Sequence, residues 1–404
     1  MVTGIGCVGP NGMGLKPLAE ALRRGQQPLA VVDRSRGYHR PSGARLAGLM
    51  ACDSFEPWLS RRTARRMSPA SRSAVCAARM ALDAAGLSAT AEPDGSTAVC
   101  LGTSYGSTNY ATDLLHQIQD PGPLGISPLL FMETVANAHA GQIALAVGAT
   151  GPNLTISQRE ASGLLTLARG ADWIRVGRAR RVLAGCVDEV SPILHAILDR
   201  FGALARSSST EDLEVARVFD ADRNGFVIAD GATVLILESA AEAEQRGAAT
   251  LATVAASARA NDPSASVSDW GAGHVQLARR LTGRLKAQGV DLASIDLVVS
   301  GASGSRRGDR LEALVLREAF GNDLPVVLAP KAVTGEYGGG FLASAFLALD
   351  GIDWAATPGF RRADPELDLT PHAGEPLARP ERILVTSLAA GGAACWVVLD
   401  RSTA

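Results

Sequence analysis

The 404-residue sequence is poor in aromatics, at 4%, and its only lysines are Lys16, Lys286 and Lys331. With so little Phe, Tyr and Trp, a core has to be filled by Ala, Val, Leu and Ile. The strong preference for arginine over lysine points to a GC-rich coding sequence rather than to a function. Surplus charge is also missing. Lys and Arg number 39 against 41 Asp and Glu, a formal net charge of −2, so no global attraction to nucleic acid or to a membrane surface is expected. No run approaches membrane-spanning length, and no basic segment followed by an apolar stretch opens the chain. The six cysteines (Cys7, Cys52, Cys76, Cys100, Cys186 and Cys395) form no CxxC pair. Cys100 lies between Val99 and Leu101, and a thiol in such a run behaves as a small hydrophobe. A reducing, cytoplasmic setting is the expectation. The six histidines (His39, His116, His139, His195, His274 and His372) have no metal-ligand spacing, so no metal is expected.

What is present reads as a folded α/β protein. Hydrophobic residues make up 47% and charged residues 20%, and the length suits two core-sized units or one large body. Short β-branched runs alternate with Ala-rich segments of helical period. Strands are expected at 2–8, 97–102, 181–186, 233–238, 295–300, 325–328, 383–387 and 395–400. Ser68 followed by Pro69 reads as an N-cap with proline at the first helical position. The helix it opens runs through Ala74, Ala78 and Ala81 and stops near Gly86. A second helix is expected from about Glu160, with Leu164, Leu165 and Ala168 on one face. The segment 245–265 has no strong linker signal, yet it separates two α/β-rich halves, which sets expected units at 1–250 and 251–404.

Two local motifs fail on their context, and a basic cluster admits two readings. The GxGxxG match at 4–9 lacks the full strand and the following helix that dinucleotide binding requires, so no cofactor is expected. The GxSxG match at 102–106 does follow a strand, but nothing around His372 resembles the histidine loop of a hydrolase. It reads as a glycine-rich turn. Arg61, Arg62, Arg65 and Arg66 cluster beside Trp58; a solvated helix face is the simple reading, and docking of an acidic partner the sharper one.

Several segments, in order and across nearly the whole chain, resemble β-ketoacyl synthases of the thiolase superfamily. The start Val2-Thr3-Gly4-Ile5-Gly6 is similar to that family's first strand. Ser127-Pro128-Leu129-Leu130-Phe131 through Asn137, Ala140 and Gly141 is similar to its dimer-lining segment. Gly151-Pro152-Asn153-Leu154-Thr155-Ile156-Ser157 is similar to the strand leading to the nucleophile. The run 219–226 and Gly391-Gly392 complete the set. The resemblance implies a thiolase-like fold of two similar α/β halves in five αβαβα layers. The family's chemistry uses a cysteine at a helix N-terminus, which takes up the acyl chain, and two histidines that assist decarboxylation and stabilise an enolate.

Laid on this sequence, the resemblance puts Glu160 at the cysteine position. Gly301, in Gly301-Ala302-Ser303-Gly304-Ser305, falls at the first histidine and Glu336 at the second. Ala390 replaces the phenylalanine of the Gly-Phe-Gly-Gly loop. Ser303, Ser305, Lys331 and Ala390 are the implied pocket lining, and Asp309, Glu312 and Lys331 match polar positions read as structural pairs. A carboxylate cannot carry a thioester-bound chain, and it would repel a malonyl carboxylate in a poorly solvated pocket. Losing an oxyanion donor costs about 10²–10³ in rate, so condensation should be abolished.

A folded but disarmed subunit of this kind resembles the chain-length factors of type II polyketide synthases. Those pair as heterodimers with an active ketosynthase and shape the tunnel in which a chain, delivered on the phosphopantetheine of an acyl carrier protein, grows. Many of them carry glutamine at the cysteine position, so Glu160 is a departure. The resemblance makes Tyr110, Ala111, Leu114, Phe131, Thr134 and Val135 candidates for the tunnel, with ordinary core packing as the plain alternative. Two other readings stay open. Glu160 could serve as acid, base or nucleophile in cyclisation, hydrolysis or acyl transfer, or be held in an ion pair with an arginine. Otherwise the chain could be a homodimeric acyl-chain or carrier binder.

Overall fold

The computed structural model describes residues 1–35, 43–50, 54–89, 93–120, 122–207 and 214–402; Cys52 and His39 lie outside the described residues. Ten strands carry the fold. β1 is Val2–Gly9, β2 Thr97–Gly102, β3 Asn153–Ile156, β4 Arg181–Asp188 and β5 Gly231–Glu238. β6 is Ala252–Asn261, β7 Leu297–Val299, β8 Val326–Leu328, β9 Arg382–Leu388 and β10 Ala393–Arg401. They line up as β8-β7-β9-β10-β6-β1-β5-β4-β2-β3. Each half repeats one topology. The fifth strand is antiparallel to the first and fourth, the fourth parallel to the second, and the second parallel to the third. The halves meet where Val2 pairs with Ala252. On that repeat we propose 1–250 and 251–404 as the two halves.

The strands inside the array, such as β1, β2 and β5, bury both faces, as near-continuous apolar runs require. Val234 and Ile236 of β5 face one cluster with Ala74, Ala78 and Ile143, while Leu235 and Leu237 face a second with Leu164, Leu167 and Phe341. In the other half Ile383 and Val385 of β9 join that second cluster, and Leu384 and Leu388 face a third with Leu277, Leu281 and Val315. The alternation therefore stacks five layers. Outermost on one side are α1 (Pro69–Ala84), α2 (Thr108–Gln119), α3 (Pro128–Thr134) and α4 (Ala138–Val147), of which α1 and α4 cover the sheet. The middle layer is α5 (Ser162–Arg175), followed after α6 (Pro192–Arg200), α7 (His274–Lys286), α8 (Arg306–Phe320) and α9 (Lys331–Thr334) by α10 (Gly340–Asp350). Helices α7 and α8 form the last layer. α10, Gly-Phe-Leu-Ala-Ser-Ala-Phe-Leu-Ala-Leu-Asp, is apolar nearly all round because sheets lie on both sides of it.

Several local expectations change. Gly4 and Gly6 lie inside β1 and let α1 approach: a Cβ on them would stand 2.2 Å from the Ala81 carbonyl oxygen and 2.0 Å from that of Ala77. The segment 245–265 contains β6, a ten-residue strand that Ala-rich composition concealed. The helix expected from Glu160 begins at Ser162, after a 3₁₀ turn at Arg159–Ala161. Among the described residues no helix is long and apolar enough to cross a membrane, and no cluster of His, Cys, Asp or Glu is arranged to hold a metal.

Candidate active site

The two central helices begin at one place. A Cβ on Gly163, in the first turn of α5, would lie 1.9 Å from the carbonyl oxygen of Gly338, just ahead of α10. Only glycine permits that approach. Two helix N-termini pointing at one pocket make it electropositive. Ser162 fixes the approach from β3: its Oγ accepts the Gln158 N–H at 2.8 Å. Arg159 takes a left-handed backbone, φ 48°, which turns Glu160 inward to 7% exposure.

Glu160 meets the β9–β10 turn. Its Oε2 accepts the N–H of Ala390 at 3.2 Å, and its backbone oxygen accepts the Ser387 hydroxyl at 2.8 Å. No arginine lies within ion-pair distance of it among the described residues, so the arginine-pair alternative does not describe this carboxyl. Gly301 follows β7 directly beneath the same turn; a Cβ there would stand 2.7 Å from the Thr386 carbonyl oxygen and 3.0 Å from Ser387 Oγ. Glu336, on the loop from α9 to α10, is paired with Lys331, whose Nζ donates to Oε1 at 2.8 Å and to Oε2 at 2.9 Å. Lys331 is fully buried and stands 4.9 Å from the Phe341 ring centroid.

The electrostatics follow from this pairing. Glu336 neutralises the one buried lysine, so an ionised Glu160 would be an uncompensated charge. Burial, and then the Glu336 carboxylate, push the Glu160 carboxyl up to about 7, against the smaller pull of Lys331 and Arg159. The helix dipoles do not offset the loss of water.

Residues that the sequence did not single out complete the pocket. Asp188, at the end of β4, accepts the N–H groups of Ser104 at 2.6 Å and Gly338 at 3.0 Å and the Thr103 hydroxyl at 3.1 Å. It ties β2 to the start of α10, and burial raises its carboxyl. Tyr105 sits close enough that burial, Glu160, Glu336 and Asp188 all raise its phenol well above the ordinary value. The available signal was an Asp-Glu pair closing the apolar run 182–187, since charge at the end of a buried strand needs a reason. The GxSxG turn at 102–106 thus serves to hold Asp188.

The polar residues expected as structural pairs separate into different networks. Asp309 accepts N–H groups from Phe219, Ser303 and Gly304 at 2.8, 3.2 and 3.0 Å, and burial pushes it up to about 6. Glu312 accepts hydroxyls from Ser300, at 3.0 Å, and Thr386, and burial pushes it up to about 7. Ser305 caps α8, accepting the Gly308 N–H at 3.3 Å. Histidines lie elsewhere: His139 against Ser71, His195 against Leu46, His372 against Trp354, His116 on α2 and His274 at the start of α7. Cys186 is near, since a Cβ on Gly338 would lie 2.4 Å from its Sγ. Burial and then Asp188 raise its thiol well above the usual value, so it is no thiolate.

The tunnel candidates occupy one flank of the molecule. Tyr110, Ala111 and Leu114 are half-buried on α2, with the Tyr110 hydroxyl donating to the Met67 carbonyl at 3.1 Å. Phe131 on α3 and Val135 at its end are exposed, while the Thr134 hydroxyl turns back to the Phe131 carbonyl at 2.8 Å.

Five alternating layers, with a site at the meeting point of the two central helices, define a thiolase-like ketosynthase scaffold. The family profile "Beta-ketoacyl synthase, N-terminal domain" matches residues 1–243, and the chain belongs to the β-ketoacyl synthase family. It is 30% identical over 388 residues to a Streptomyces rimosus protein described as an oxytetracycline polyketide β-ketoacyl synthase 1, covering 91% of this chain and 89% of that one. It is 27% identical over 405 residues to the 3-oxoacyl-[acyl-carrier-protein] synthase 2 of Vibrio cholerae, covering 97% and 96%. Among solved structures, the ishigamide ketosynthase/chain length factor is similar at a TM-score of 0.88 and 26% identity, covering 100% of this chain and 98% of that one.

Proposed function

We propose that this chain is a catalytically silent ketosynthase-type subunit, a chain-length factor, which pairs with an active ketosynthase and shapes the tunnel for a polyketide or polyene chain. The observation that carries the reading is the pocket itself: Glu160 and a Lys331–Glu336 pair stand at the head of the central helices, with Gly301 beneath them. Thioester exchange there would need a thiolate, and an enolate would need free hydrogen-bond donors aimed at its oxygen. The lysine that could receive a malonyl carboxylate is already neutralised by Glu336.

The flank with the tunnel candidates supports a partner of the same fold. In α3 the only buried side chain is the acid Glu133, while Leu129, Phe131 and Met132 are 41%, 56% and 59% exposed. A helix with its apolar residues outside and its charge inside is built to be covered. β3, which is bonded to α4 through Asn153 Nδ2 and the Ala140 oxygen at 3.2 Å, is an open edge. Val99 N–H bonds the Pro152 oxygen and Thr103 N–H that of Ile156, which turns the backbone groups of Asn153 and Thr155 outward. The exposed Arg61, Arg62, Arg65 and Arg66 supply a basic surface for an acidic acyl carrier protein.

The test is co-expression with a ketosynthase of the same pathway, followed by mass measurement in solution. A one-to-one pair is expected, with no condensation or carbon dioxide release by this chain alone. A stable homodimer that ignores the ketosynthase would overturn the reading in favour of a stand-alone carrier binder. The second reading, acyl processing by Glu160, is favoured by the carboxyl poised near 7 beside Tyr105. Loss of product from a Glu160→Gln pair that still assembles would select it.

A further inference from the structure

Helix α3 packs against α2, where the Ser127 N–H donates to Gln117 Oε1 at 2.9 Å, and its one buried side chain ties it to two further helices. Glu133, 2% exposed, accepts the Ser68 N–H at 3.0 Å and the Ser71 hydroxyl at 2.7 Å on Oε2, and the Gln142 side-chain amide at 2.6 Å on Oε1. Ser68 is the N-cap of α1, so the carboxylate sits where the dipole of a sixteen-residue helix favours an anion. α1 in turn packs its small-residue face on β1 and β5 and is a rigid anchor. Ser71 Oγ also lies 3.0 Å from His139 Nδ1 on α4. With the hydroxyl proton directed to Glu133, that nitrogen carries the proton and donates to Ser71. Three helices thus converge on one carboxylate.

We infer that Glu133 is a positioning residue: it pegs α3 to α1 and α4, and so fixes where the outward face of Leu129, Phe131 and Met132 stands. The inference rests on the tunnel reading for its consequence. α2 supports the helix from the side, but no other side chain of α3 is buried beneath that face, so its depth against α1 and α4 follows from the peg, and with it the length of chain the subunit pair releases.

The experiment compares Glu133→Ala and Glu133→Gln with Phe131→Ala. One readout is amide hydrogen exchange across 128–137 in the chain alone; the other is product length from the reconstituted pair. Glu133→Ala should speed exchange in α3 at least tenfold while leaving β1 and β5 unchanged, and should broaden or shift product length. Glu133→Gln, which can still accept from Ser68, should restore most of both. Unchanged exchange in Glu133→Ala overturns the peg. Unchanged products in Glu133→Ala, where Phe131→Ala shifts them, overturn the positioning role. If Phe131→Ala leaves products unaltered as well, the tunnel reading falls and the claim on chain length with it, while exchange still judges the peg. Should the alanine variant misfold, the glutamine variant provides both readouts.

Discussion

At the scale of single residues, the decisive contrast is between two glutamates in one pocket. Glu336 has a lysine on both its oxygens; Glu160 has one backbone N–H and, among the described residues, no cation in contact. Their sequence contexts do not distinguish them, because the partner of Glu336 is decided by how α9 turns back on its own loop. The difference has a thermodynamic sign. Glu160 is raised from 4.5 to about 7, so the folded chain holds a proton that the unfolded chain has released between those values. Stability from this site is therefore complete below about pH 4.5 and is lost as the pH rises through 7. Glu160→Gln keeps the shape and an acceptor for Ala390 without the charge. It should exceed the parent in stability by up to about 3 kcal/mol above pH 7, with the gap closing toward pH 4.5. Denaturant titrations of both proteins across pH 4.5–8 measure this. A variant no more stable than its parent at pH 8 would mean that the carboxylate is compensated by something other than Lys331.

At the scale of elements, the site depends on how closely strands and helices approach. Gly301 leaves β7 where β9 runs parallel to it, Val299 opposite Val385, and the added atom of Gly301→Ala would stand 2.7 Å from the Thr386 carbonyl oxygen. The backbone would have to give way, so a loss of about 1–3 kcal/mol in denaturant stability is expected. The same crowding means that restoring an imidazole by Gly301→His should not restore chemistry; a gain of condensation from that change would refute the packing argument. Much of this level was legible in advance. The strand expected at 181–186 falls within β4, Arg181–Asp188, because both faces are buried and the run 182–187 is apolar throughout. β6, Ala-Thr-Val-Ala-Ala-Ser-Ala-Arg-Ala-Asn, was not legible, since alanine has weak strand preference and its pairing with β10, and with β1 at Ala252, decides its state. The peg at Glu133 was equally hidden: a lone acid in a Pro-Leu-Leu-Phe-Met run looks like the polar side of an amphipathic turn, and only the fold turns it inward.

At the scale of the whole molecule, the ten-strand array has two ends, and they are treated differently. At the β8 end a backbone bond from His372 N–H to the Val327 oxygen, 2.9 Å, covers the edge with the protein's own chain. At the β3 end the outward groups of Asn153 and Thr155 have no backbone partner among the described residues, and α4 links this strand, through Asn153 to the Ala140 oxygen, to α3, through Gln142 to Glu133. An open edge and an exposed apolar face carrying Phe131 and Met132, on elements that share α4, are aggregation hazards unless another molecule covers them. Charge placed on that face separates folding from pairing. In the free chain, Phe131→Asp with Met132→Asp puts carboxylates where water already reaches, so stability should stay within about 0.5 kcal/mol. In the pair the same carboxylates would be desolvated without partners, and association with the ketosynthase should weaken at least about 100-fold, near 2.7 kcal/mol. Sedimentation of the mixed subunits and denaturation of the single chain read the two effects independently. Undiminished pairing would move the contact surface away from α3, and with it the wall proposed for the chain tunnel.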